Sequence, residues 1–189
     1  MIVPVVKTSY NHPQVNLRNH QCHAQGIAAI AVTDTANMFG GKAFSKYASD
    51  EGVKPILGCQ FYLRNPDADD VLKAKGRIIE PDKIVLLVMN ENGYQNIMKL
   101  MKRSYLDNPK QGEKAQLKMS DLEELNGGLI ALTAGVEGQI GRFLLENRKA
   151  EAEEVVVKLR EIFADRLYME ISRIGLETEQ KTEDDFIDF

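Results

Sequence analysis

Residues 28–41, A-A-I-A-V-T-D-T-A-N-M-F-G-G, constrain the fold of this chain more than any other stretch. Residues 28–32 are small or β-branched and carry no charge, the pattern of a strand buried on both faces. Thr33-Asp34-Thr35 ends that run. Gly40-Gly41 then lets the backbone turn into a helix over residues 42–51, with Gly52 placed at its C-terminal cap. Strand, loop and helix in this order form the repeating unit of α/β proteins, and the loop leaving a strand's C-terminal end is where their chemistry sits. The loop over residues 33–37 is therefore the first candidate site.

The unit recurs. Residues 54–63, K-P-I-L-G-C-Q-F-Y-L, read as the next strand, with Gly58 at a bulge or close approach. Residues 84–89, I-V-L-L-V-M, read as another buried strand. A turn over 90–93 leads to a helix over 94–105, with Ile97, Leu100 and Met101 on one face. Residues 65–82 and 107–118 read as polar loops. Ser120 and Glu123 have the spacing of a capping box, and Asn126-Gly127-Gly128 ends the helix they start. Residues 129–133 form a strand, 134–139 a loop and 140–147 a helix. The helix over 149–163 is the clearest in the chain, with Ala152, Val155, Val156, Leu159, Ile162 and Phe163 on one face. A strand over 167–171 and a helix over 178–189 follow. Ahead of all this, residues 1–6 read as an opening strand weakened by Pro4, and 17–25 as a short helix capped by Asn16. Strand and helix alternate at least five times, which predicts a parallel α/β sheet or barrel.

Charge and composition exclude several function classes. The net charge is −4, and residues 177–189 alone carry −5, so the remainder is near neutral. That balance argues against a freestanding nucleic-acid binder, which needs a clustered basic surface. No apolar run approaches the ~20 residues needed to span a bilayer. Two cysteines, Cys22 and Cys59, and no secretory pattern indicate a reducing, cytoplasmic setting. The three histidines, His12, His20 and His23, lie in the opening segment beside Cys22, at a spacing that matches no common zinc pattern. Asp34 reads as a loop-shaping residue whose carboxylate accepts nearby N–H groups in an Asx-type turn.

T-D-T-A-N-M-F-G-G followed by G-V-K-P-I-L-G-C-Q-F-Y-L resembles the PHP (polymerase and histidinol phosphatase) domain of the α subunit of bacterial DNA polymerase III. The resemblance continues through I-V-L-L-V-M-N-E-N-G-Y-Q-N-I-M-K-L, L-E-E-L-N-G-G-L-I-A-L-T-A-G, G-Q-I-G-R and D-R-L-Y-M-E-I-S-R, in register from about residue 26 to 189. It implies a PHP-type (β/α)7 barrel-like fold, here incomplete at the first five to six strand–helix units. Residues 1–25 are then a divergent N-terminal segment, and 26–189 a partial PHP domain without the last barrel strands or any polymerase domain. A gene fragment is the expectation for such a chain.

Metal-binding members of the family hold zinc or manganese at strand C-termini for phosphoester hydrolysis, and the full polymerase uses magnesium. The resemblance implies that this metal site is degenerate here. Thr35 stands where the loop's ligand His would be, while Asp34 and Asn37 of the motif remain. Gln60 replaces a carboxylate, Lys83 takes the place of a His, and Gly135 that of a Cys. Val5-Val6-Lys7 stands where a His-x-His pair would be. No catalytic residue and no cofactor are expected in this chain. The implied partners of the full polymerase are a proofreading exonuclease subunit, a sliding clamp and DNA, and the implied role here is structural or docking. The alternatives are a metal-dependent phosphoesterase or 3′–5′ exonuclease, and a non-functional gene remnant.

Overall fold

The computed structural model describes residues 5–6, 23–65, 81–107, 114–173 and 175–189. Its strands are β1 (Val5–Val6), β2 (Ala29–Thr35), β3 (Lys54–Leu63), β4 (Asp82–Val88), β5 (Gln116–Leu117), β6 (Leu129–Leu132) and β7 (Leu167–Tyr168). Its helices are α1 (Gly41–Asp50), α2 (Glu91–Leu106), α3 (Met119–Leu125), α4 (Gln139–Leu145), α5 (Lys149–Phe163) and α6 (Glu177–Asp188). The expected opening helix, His12, His20 and Cys22 lie largely or wholly outside the described residues; His23 is exposed.

The seven strands form one sheet in the order β1-β2-β3-β4-β6-β7, with β5 beside the end of β3. The alternation of strand and helix is as the sequence predicts, but the all-parallel expectation is wrong. β1, β2 and β3 are parallel, and β6 and β7 are parallel, whereas β4 runs antiparallel to both β3 and β6. A parallel return after β3 needs an amphipathic crossover helix. The connection from β3 to β4 is polar and carries no such pattern, so the chain comes back beside β3 in the opposite direction. Among the described residues no ladder joins β1 to β7.

Each strand sends alternate side chains to opposite faces. Cys59, Phe61, Leu63, Ile84, Leu86, Leu129 and Ala131 face the helices, where they meet Ile97 and Leu100 of α2, Leu122 of α3 and Leu159 and Phe163 of α5 in the main core. Ile30 and Val32 of β2 form a second cluster with Phe44 and Ala48 of α1. The other sheet face gathers Ala31, Val85, Leu87 and Ala134, with Ile56, Ile130 and Leu132 packed beside them. A fully buried Leu or Phe contributes roughly 1.5–3 kcal/mol, so the helix-facing side dominates stability.

Local expectations need several corrections. Residues 65–82 are not polar and exposed at their ends: Asn65 is buried, and Asp82 is 3% exposed as the first residue of β4. The 107–118 segment contains β5, whose Leu117 is fully buried and pairs with Leu63. The turn at 90–93 is the first turn of α2, because the Asn90 side chain accepts the Gly93 N–H at 3.1 Å and caps the helix there. Helix α3 starts before Ser120. Asp121, not Glu123, reaches back to accept the Lys118 N–H at 2.8 Å. The last strand is only two residues long. Gly52 does sit at φ +73 beyond α1, with its N–H on the Ser49 carbonyl.

Two glycines fix how α2 meets the sheet. A Cβ on Gly93 would lie 1.9 Å from the Gly128 carbonyl oxygen, so helix and turn touch backbone to backbone. Gly128 has φ +72, and a Cβ there would lie 2.3 Å from Asn90 Oδ1. Backbone cannot yield as a flexible side chain does, so Gly93→Ala is expected to destabilise the protein by about 3 kcal/mol. Urea unfolding of the variant beside the parent protein measures this, and a change below about 1 kcal/mol contradicts the contact.

Candidate functional site

Because β4 is reversed, its N-terminal end lies with the C-terminal ends of β2, β3 and β6. Thr35, Gln60, Lys83 and Gly135 all sit at or near that end of the sheet. Thr35 pairs in register with Gln60, Gln60 with Val85, and Tyr62 with Lys83. Register partners share a face, so Thr35, Gln60 and Lys83 lie on the face opposite the helices, with Gln60 and Lys83 as diagonal neighbours.

Gln60 is 2% exposed, and its Nε2 donates to Thr35 Oγ1 at 3.0 Å. Its Oε1, and Thr33 Oγ1 farther down β2, are buried with no hydrogen-bond partner among the described residues. The Lys83 ammonium donates to the carboxylate of Glu137. Glu137 belongs to the short 3-10 turn Gly135–Glu137 that follows β6. Gly135 opens that turn at φ +53, and a Cβ on it would meet the Glu170 carbonyl at 3.3 Å. The structure thus joins Thr35 to Gln60, and Lys83 to the loop that Gly135 begins.

Asp34 does not point with Thr35. It pairs in register with Cys59, on the helix-facing side, and its Oδ2 lies 3.4 Å from where a Gly40 Cβ would stand. A Cβ at Gly40 would stand in ordinary van der Waals contact with this carboxylate. An Asx-type turn is made by Asn37, whose Oδ1 accepts the Phe39 N–H at 3.2 Å while its Nδ2 donates to the Thr35 carbonyl at 3.0 Å. Ala36 lies between them at φ +54, a conformation that costs an L-residue roughly 1–2 kcal/mol. The loop is held against β3 by the Ala36 N–H on the Gln60 carbonyl, and against α2 by the Tyr105 hydroxyl, which donates to the Ala36 carbonyl at 2.8 Å.

Sequence reasoning passes over Glu137, Tyr105 and Arg142. Arg142 of α4 grips the buried Asp82 through Nε at 2.7 Å and Nη2 at 3.2 Å, which anchors the start of β4 beside Lys83. Each of these partners is separated from its mate by 54 to 69 residues, so no local spacing reveals it. The one available signal is chemical: Lys83 and Asp82 are charges opening an otherwise apolar strand and demand partners.

Among the described residues no group of three or more His, Cys, Asp or Glu is placed to hold a metal ion. Cys59 is fully buried beneath the loop. Burial pushes its thiol up to about 12, aided by the Asp34 carboxylate, while the backbone N–H groups of Asn37 and Ala36 pull the other way. A fully buried thiol raised in this way is a poor nucleophile.

The chain belongs to the PHP domain family, which matches residues 15–174. It is similar to the DNA polymerase III subunit alpha of Pseudomonas fluorescens, 38% identical over 148 residues that cover 78% of this chain and 12% of that protein. The subunit of the same name from Rickettsia bellii is 36% identical over 161 residues, covering 85% of this chain and 13% of that protein. The chain therefore spans about an eighth of the length of these curated relatives. A crystal structure of a protein from Bifidobacterium adolescentis, assigned as a metal-dependent phosphoesterase, superposes with a TM-score of 0.52 at 11% identity, over 96% of this chain and 80% of that one. That likeness bears on fold alone, and it agrees with a PHP-type α/β architecture present in part.

The raised thiol has a signed consequence. With an ordinary value of 9.0 and a folded value of about 12, the Cys59 contribution is fully present below pH 9 and is lost as pH rises from 9 toward 12, because the unfolded thiol ionises first. Melting temperature is expected to fall more steeply above pH 9 in the parent protein than in Cys59→Ala. Iodoacetamide at pH ~8.5, below either value, is expected to leave Cys59 unlabelled until denaturant is added. Peptide mapping reads this directly, and rapid labelling of the folded protein contradicts the buried placement.

Proposed function

We propose that this chain is the N-terminal PHP domain of a replicative polymerase resembling DNA polymerase III subunit alpha, acting as a metal-free structural and docking module. The observation that carries the reading is the Lys83–Glu137 ion pair at the strand ends. An ammonium beside a metal position opposes each unit of ionic charge by roughly 4 kcal/mol at 4 Å and an effective dielectric of about 20. Gln60, a neutral amide, is already engaged with the Thr35 hydroxyl and cannot balance a dication. Such a donor set fits neither zinc nor manganese, whose sites use carboxylate, imidazole or thiolate. Asp34, Thr35, Gln60, Lys83 and Gly135 are on this reading positions of a degenerate site.

Within a whole polymerase the domain would brace the polymerase body and dock a proofreading exonuclease subunit, with the sliding clamp, DNA and catalytic magnesium engaged by other parts of that protein. The division into a divergent segment over residues 1–25 and a partial PHP domain over 26–189, and a cytoplasmic setting, belong to the same proposal. No helix among the described residues is long and apolar enough to cross a membrane. The second reading, a phosphoesterase or 3′–5′ exonuclease, is favoured by the fold of the Bifidobacterium protein.

Elemental analysis of the purified chain by mass spectrometry, together with hydrolysis of bis-p-nitrophenyl phosphate with and without added manganese, separates the two. Under the proposal, zinc and manganese stay far below one equivalent and hydrolysis stays at the no-enzyme rate. Stoichiometric metal, with hydrolysis abolished by chelator, supports the phosphoesterase instead.

A further inference from the structure

We infer that the outer face of α2, with the adjoining loop tip at Phe39, is a docking surface for an amphipathic acidic helix of a partner protein. The inference rests on the docking reading above and names where and by what chemistry docking occurs. Tyr94, Met98 and Tyr105 recur at four- and seven-residue steps, which places them in one narrow stripe along the helix, while Met101 between them is partly buried against the core. Met98 is 42% exposed and Tyr105 57%, although α2 has already buried Ile97 and Leu100 in the core. The Tyr105 hydroxyl on the Ala36 carbonyl sets the C-terminal end of the stripe beside the loop that carries Phe39, itself 80% exposed. Leu106, 67% exposed, extends the apolar surface at the same end. From Tyr94 to Tyr105 the stripe runs about 16 Å, three helical turns, so a partner helix of comparable length lies along it.

Charge selects the partner's character. Lys99 and Lys102 flank the stripe on one side, and Lys42 follows Phe39 at the start of α1; all three are exposed. Arg103, the other cation of α2, is already committed to Glu124 and Asp121 of α3. The acids of α2's outer surface stand at its extremes, at Glu91 and just past the end at Asp107. Two other exposed apolar residues sit in the opposite field. Val157 of α5 has Glu153, Glu154 and Glu161 one helical turn away, and Ile187 of α6 has Asp184, Asp185 and Asp188 around it. An apolar stripe edged by lysines is complementary to a helix whose apolar face is edged by Asp and Glu.

The test uses the full 189-residue chain and fluorescein-labelled synthetic 16-mers. One peptide carries leucines at helical spacing with glutamates on its flanks, and its twin carries lysines in place of the glutamates. Anisotropy titration is expected to show binding of the acidic peptide, weakened at least tenfold by Met98→Glu and severalfold by Lys102→Glu or by 0.5 M salt, and unchanged by Val157→Glu. Lys102 is exposed, so that variant keeps the test decisive if Met98→Glu does not fold; circular dichroism melts establish which variants are folded. Failure to bind the acidic peptide, equal binding of both peptides, or loss on Val157→Glu alone overturns the inference. Self-association of the parent protein abolished by Met98→Glu, or binding of anionic phosphatidylserine vesicles through the same residues, assigns the surface to a different occupant and overturns it as well. Metal content measured on the same preparation separates the two failures: a metal-loaded, hydrolytic protein defeats the metal-free reading, whereas a metal-free protein that ignores the acidic peptide defeats only the docking surface.

Discussion

Strand β3 is the constraint on which the rest of the structure depends. It pairs with β2 along one edge, continues on that edge with β5, and pairs with β4 along the other. Its alternate side chains feed two different environments: Cys59, Phe61 and Leu63 enter the helix-facing core, and Gly58, Gln60 and Tyr62 face the other way. A shift of one residue in register would exchange these sets, placing a buried amide in the core and two large apolar side chains at the strand ends. The Gly58 position adds a steric lock, since a Cβ there would come within 2.7 Å of the Leu86 carbonyl on the neighbouring strand.

The polar end of the sheet is built to the same rule of local compensation. Lys83 is met by Glu137, Asp82 by Arg142, and the Thr35 hydroxyl by the Gln60 amide, each across a long stretch of sequence. Opposite charges brought together in a half-buried setting avoid the several kcal/mol that an isolated buried ion costs. The result is a strand-end surface close to neutral in its immediate side chains, with the loop over β2 pinned by backbone and by Tyr105.

Much of this architecture is legible in the sequence. The Lys54–Leu63 strand and the Lys149–Phe163 helix stand at the bounds their patterns indicate, because a buried apolar run and a clean helical face are local signals. Strand direction is not local: nothing within I-V-L-L-V-M says which way it runs, and only the polar character of the preceding connection hints at the reversal of β4. Leu117 in β5 illustrates another blind spot, a two-residue strand inside a charged segment, visible only once β3 offers it a free edge. Helix α3 begins at Met119 with Lys118 as its N-cap, so Asp121 takes the back-reaching position that the spacing gives to Glu123. At the strand ends, Lys83 stands out in the sequence as a charge opening an apolar strand, whereas its partner Glu137, 54 residues on, does not.

The contact between Gly93 and Gly128 separates two jobs that a surface helix usually performs together. Since α2 is seated on the turn before β6 through main-chain atoms, its position does not depend on the residues it presents outward. Tyr94, Met98 and Lys102 are then free to be rewritten without moving the helix. A lineage could change the chemistry of this face by ordinary substitution while the scaffold beneath it stays still, so the outer surface of α2 can diverge faster than the fold.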